Sequence, residues 1–156
     1  MISQTKNFRF THLILLLCVG LFLASCGCEE DCASFDNFRM CSSTPSEDGC
    51  SSNSTSFSSD VTYLSVSVEI TRGEPTDMIS VKYYQEVDNN FVEFFSQSKA
   101  LADIDDKVDG SERKVRYSVG VSRRADRLWP VGQYKVELEL TQEMTPLNAT
   151  QNFSIQ

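Results

Sequence analysis

Histidine is almost missing: the 156 residues contain one, His12. Ser-His-Asp catalysis, Cys-His catalysis and histidine zinc sites all hang on that single side chain. Basic charge is also short. Fourteen Lys and Arg face 22 Asp and Glu, a net charge of −8, which argues against a nucleic-acid binder with its basic face. Long apolar runs are absent. Leu13–Leu23 is apolar for eleven residues, whereas a membrane-spanning helix needs ~20. There is no C-x-x-C redox pair and no long run of 3.6-residue period. What remains is ordinary: 40% hydrophobic and 23% charged, a globular composition for one domain with or without an appendage.

The N-terminus reads as an export signal. Lys6 and Arg9 supply a positive start, and Leu13–Leu23 an apolar core without a polar face. The core ends in Leu23-Ala24-Ser25-Cys26. These four residues resemble the lipobox of bacterial lipoproteins: Leu, then Ala/Ser/Thr, then Gly/Ala/Ser, then Cys. The resemblance implies a thioether-linked diacylglyceryl group on Cys26, cleavage between Ser25 and Cys26, and further acylation of the new amine. Residue 27 is Gly rather than the Asp that favours inner-membrane retention in such families. The expected location is therefore the bacterial cell envelope, lipid-anchored, at the outer membrane or cell surface. The alternative is a secreted precursor cut after Gly27. The sequons at Asn53, Asn148 and Asn152 would suit it, but they fall in serine-rich or polar stretches where such triplets arise by chance.

Removal of residues 1–25 changes the counts. His12, Cys18, Lys6 and Arg9 leave, and all 22 acids stay. Fourteen basic residues less two then give a charge of −10. The expected mature chain has no histidine, so no catalytic residue, metal site or cofactor is assigned. Carboxylate-pair and Ser-Lys chemistry remain open by composition, with no motif for either.

Residues 26–60 read as a flexible tether. Between Ser42 and Ser59, eleven of eighteen residues are Ser or Thr, too few apolar groups to offset the entropy of ordering. Cys28, Cys32, Cys41 and Cys50 lie here in the spacing C-x3-C-x8-C-x8-C. Outside the cytoplasm an even number predicts two disulfides, in any of three pairings. The wide second gap disfavours a zinc knuckle.

From residue 61 the period becomes two. Residues 61–70 alternate Leu64, Val66, Val68 and Ile70 against Ser65, Ser67 and Glu69. Residues 79–87 place Ile79, Val81, Tyr83 and Val87 on one face; 114–121 place Val115, Tyr117, Val119 and Val121; 133–141 place Tyr134, Val136, Leu138 and Leu140. An irregular strand is expected at 91–98, after the turn-prone Asp88-Asn89-Asn90. A last strand at 149–156 offers Phe153 and Ile155. Lys99–Asp105 is the one stretch that suits a helical turn. The pattern predicts an all-β fold: an antiparallel two-sheet sandwich over 61–156 with one wet face per sheet.

The C-terminal third carries a second resemblance. Trp129, Pro130, Gly132, Tyr134, Val136, Leu138, then Thr150, Phe153 and Ile155 are similar to the closing hairpin of bacterial immunoglobulin-like or fibronectin type III-like domains. That resemblance implies an immunoglobulin-like sandwich. It is nearly silent on function, because such sandwiches host many activities. The connection 142–148 is longer than the family's tight turn.

Two charged loops stand out. Asp103, Asp105, Asp106, Asp109 and Glu112 crowd together, but Lys107 occupies a ligand position of a calcium loop started at Asp103 or at Asp105, so a solvated loop is the better reading. Arg123, Arg124 and Arg127 precede Trp129, a combination that suits an anion or glycan. A charged loop paired with Asp126, and a tryptophan serving as a lid on the core, are the plainer alternatives. The expected protein is an envelope lipoprotein acting as a non-enzymatic binding or structural module. Its membrane contact is the lipid, and its partner a protein or glycan. A carboxylate-based hydrolase and an accessory subunit of an envelope complex are the competing readings.

Overall fold

The computed structural model describes residues 32–46, 48–105, 107–108, 114–142 and 146–156. Eight strands follow in order: β1 (Ser34–Cys41), β2 (Ser56–Phe57), β3 (Tyr63–Thr71), β4 (Met78–Val87), β5 (Asn90–Ala100), β6 (Lys114–Ser122), β7 (Gly132–Thr141) and β8 (Leu147–Ile155). A 3₁₀ turn at Leu101–Asp103 falls within the stretch expected to coil. No helix among the described residues is long and apolar enough to cross a membrane; the apolar run 13–23 lies outside them.

The strands form two sheets, ordered β1-β3-β6 and β2-β8-β7-β4-β5. Every pairing is antiparallel except β2 with β8. The order, with the N-terminal edge divided between both sheets, is compatible with an immunoglobulin-like sandwich. The period-two residues do what their spacing demands. Leu64, Val66, Val68 and Ile70 of β3 and Val115, Tyr117 and Val119 of β6 face Ile79, Val81 and Tyr83 of β4, Tyr134, Val136, Leu138 and Leu140 of β7, and Phe153 and Ile155 of β8. Each such side chain, fully buried, contributes roughly 1.5–3 kcal/mol. Val87 is the exception among the inward set. It sits at the far end of β4 and is 45% exposed.

Local chemistry fixes the turns. Asp88 and Asn89 join β4 to β5 with φ of 52° and 63°, the two positive values a two-residue hairpin of matching twist requires. β5 then bulges: Tyr83 pairs with Phe95 but Tyr84 with Glu93, so Phe94 is the extra residue. That bulge is why the alternation of 91–98 is irregular. At the start of β7, the Tyr134 hydroxyl donates to the Pro130 carbonyl at 2.7 Å. This is the tyrosine corner that locks the strand-to-strand crossing in Greek-key sandwiches.

Two expectations are corrected. The folded unit begins at Ala33, not at residue 61. Met40 of β1 is fully buried and Phe57 of β2 packs edge-on against Phe153 at 5.7 Å. Residues 33–60 are therefore part of the sandwich rather than a tether; 26–31 lie outside the described residues. β1 escaped the period because it bulges between Asp36 and Arg39, with Asn37 at φ 50°. The second correction concerns the face of β3 expected to be wet. Ser65, Ser67 and Glu69 are buried, at 2%, 4% and 7% exposure. A disulfide-closed loop covers the two serines, and Asn37, Lys114 and Arg116 close over Glu69.

Candidate functional site

That loop is built by Cys41–Cys50, bonded to each other. It lies over the outer face of the three-stranded sheet. Ser65 Oγ donates to the Ser43 carbonyl, and the Cys50 amide donates to Ser67 Oγ at 2.9 Å. The serines of β3 thus bind backbone rather than water. Gly49 turns the chain here at φ +68°. Gly120 lets the loop approach, since a Cβ there would collide with Ser65 and Pro45. Of the other expected disulfide partners, Cys32 is exposed, and Cys28 lies outside the described residues, as does Cys26.

Beside the loop is a polar cavity of about 170 Å³, lined by Asn37, Arg39, Asp48, Ser67, Glu69 and Arg116. Glu69 is its centre. One carboxylate oxygen accepts from Asn37 Nδ2 at 2.8 Å and pairs with Lys114 Nζ at 2.9 Å; the other takes Arg116 at 3.0 Å. Burial raises the pKa of this group, but hydrogen bonds from Lys114, Asn37 and Arg116 outweigh it and hold the carboxyl at about 2. A carboxylate ionised at all ordinary pH, with both oxygens engaged, neither donates a proton nor readily accepts one. The cluster ties β1, β3 and β6 together. Sequence reasoning missed it. The available signal was a lone acid in a Val/Ser strand, with Lys114 and Arg116 spaced to share one face of another.

The outer face of the five-stranded sheet is likewise internally matched. Lys82 pairs with Glu139 at 3.6 Å and Lys135 with Glu137 at 2.6 Å. The Lys135 ammonium lies 4.4 Å over the Tyr84 ring and 4.9 Å over Phe91. Desolvation, then the hydrogen bond to Glu137, pushes the Tyr84 phenol up to about 12. Tyr84 thus stays neutral and keeps its proton for that carboxylate.

The basic tip lies in the loop between β6 and β7, and the structure does bring its residues together. Arg123 turns inward and donates one guanidinium nitrogen to the carbonyls of Arg124 and Arg127. The Trp129 amide donates to Ser59 O and its indole N–H to Val61 O, both at 2.9 Å. Its ring packs against the core beside Phe94, at 6.3 Å. Trp129 is therefore a lid on the core, not an open platform. Arg124 and Arg127 are exposed, and Arg127 reaches Asp126 only at 3.9 Å. Next to them, Leu128 and Val131 are 62% and 71% exposed, with Phe94 at 39%. Sequence reasoning found the arginines here but overlooked the two aliphatic residues that flank Trp129-Pro130.

In the acidic stretch, Asp106, Asp109 and Glu112 lie outside the described residues. Among the described residues no three His, Cys, Asp or Glu side chains gather as metal ligands do. No protein-family model matches the chain, and no curated protein is significantly similar to it.

Proposed function

We propose that the protein is a lipid-anchored module of the bacterial envelope that works by binding, not by turnover. The observation carrying this reading is the end of the sandwich formed by the β6–β7 loop. Its backbone is held by hydrogen bonds from Arg123, Trp129 and Tyr134, yet Leu128 and Val131 are left in water. Uncovered apolar side chains on a braced backbone leave less ordering entropy to be lost on association than those of a floppy loop. The lipobox at Cys26 supports the anchor, and the strand order and tyrosine corner support an immunoglobulin-like domain as the displayed part.

The buried acids weaken the hydrolase alternative. Glu69 is engaged by three donors, and Asp77 accepts the Glu74 amide at 2.8 Å inside its own turn. Asp48 lines the same cavity as Glu69, but a Glu69 carboxylate engaged by three donors is a poor member of an acid–base pair. The anchor is tested by Cys26→Ser expressed in a bacterial host. The expected result is loss of the lipid mass and release from the membrane fraction. An unchanged mass and unchanged fractionation would refute the lipoprotein reading.

A further inference from the structure

We infer that the occupant of this end is an acidic protein segment, held by an apolar anchor on Leu128 and Val131 and by carboxylates on Arg124 and Arg127. The inference rests on the anchored reading above.

Charge gives the first reason. The whole chain is strongly acidic, but residues 123–131 carry three arginines and one aspartate. Arg123 is used inside the loop. Arg124 makes no ion pair with any carboxylate among the described residues, and the Arg127 pair is long and open to water, where it contributes little. The tip is thus a local cationic island that an acidic partner would neutralise.

Geometry gives the second reason, and it favours a protein over the anchoring membrane. Ser34 pairs with Thr71, and Tyr63 with Ser122. The chain therefore enters the sandwich at one end of β3, and the β6–β7 loop leaves from the other. β3 has nine residues, so the tip stands about 30 Å from Ala33. A lipidated N-terminal segment would thus join the sandwich at the end opposite the tip, which favours a partner other than the anchoring bilayer.

The test uses the purified protein and a random-peptide phage library. The expected result is enrichment of peptides combining Asp or Glu with apolar residues. Labelled synthetic versions should bind with an affinity that falls as salt is raised. Binding should weaken about tenfold or more in Arg124→Glu/Arg127→Glu and in Leu128→Ser/Val131→Ser, with thermal midpoints unchanged. Selection against the charge-reversed variant should switch the enrichment to Lys and Arg. Enrichment without acids, or binding indifferent to both variants, overturns the inference. So does either rival occupant: phosphatidylglycerol vesicles that co-sediment with the protein but not with Leu128→Ser/Val131→Ser, or a dimer in sedimentation velocity that the same variant dissolves. Failure of the anchor is read separately, from the Cys26→Ser fractionation. Peptide selection that fails while the anchor holds rejects the acidic segment and leaves the envelope location standing.

Discussion

Glu69 shows how one buried charge is made tolerable. Its carboxylate is 10% exposed and takes Lys114 and Arg116 on separate oxygens, with Asn37 completing the set. Removing one partner from such a cluster is costly, because the remaining charges stay buried. The pH consequence has a definite sign. The folded pKa, about 2, lies below the unfolded value of 4.5, so the unfolded chain binds the extra proton. This contribution is complete above pH 4.5 and is lost as the pH falls through about 2. The shift corresponds to about 3 kcal/mol. Urea midpoints of the natural protein should fall between pH 6 and pH 2.5 by more than those of Glu69→Gln, which has no proton to gain. Parallel curves for the two proteins would show that the cluster contributes nothing to acid sensitivity.

At the scale of elements, the Cys41–Cys50 loop decides which face of β3 is wet. The crosslink closes a short loop and limits the unfolded chain, which stabilises by about 2–3 kcal/mol. It also seats the Ser43 carbonyl and Cys50 amide on Ser65 and Ser67. A Cys41→Ala/Cys50→Ala protein should lose stability of that order. Hydrogen exchange at the Cys50 amide should rise well before the core strands open; equal protection with and without the crosslink would mean the loop holds itself down. This loop also marks the limit of what sequence could say. The five strands from β3 onward, apart from the bulged β5, were legible because their inward residues repeat every second position. β1 was not, because a bulge and a positive-φ Asn37 break its alternation. β2 was not, because two residues paired in parallel to β8 make no pattern at all. Composition then misled: serines that satisfy backbone in a roof look the same as serines of a solvated linker. At the candidate site the arginines and tryptophan were legible by type. The exposure of Leu128 and Val131 was not, since aliphatic residues beside a core tryptophan ordinarily follow it inward.

The whole molecule depends on residues that read as its appendage. Without 33–60, β3 loses β1, keeps only β6 and becomes an open edge, while β8 loses β2. Met40 and Phe57 are withdrawn from the core, at roughly 1.5–3 kcal/mol each. Ser65, Ser67 and Glu69 are returned to water, and Asn37 is taken from the Glu69 cluster. Domains of this size have about 5–15 kcal/mol in total, so these losses together approach the whole margin. Newly exposed edges add a tendency to aggregate. A fragment of residues 33–156 should therefore melt in one cooperative transition and give a dispersed NMR spectrum. A fragment of residues 61–156, which the period-two pattern alone would nominate as the domain, should aggregate or lack that transition. Equal midpoints for the two fragments would mean that β1, β2 and the disulfide loop are passengers on a sandwich already complete. The dependence also bears on function. The proposed binding end is braced from the N-terminal side, by the Ser59 and Val61 carbonyls that receive Trp129. Cutting at 61 removes Ser59 and frees that brace, so Leu128 and Val131 would lose their fixed presentation even in a fragment that stayed folded.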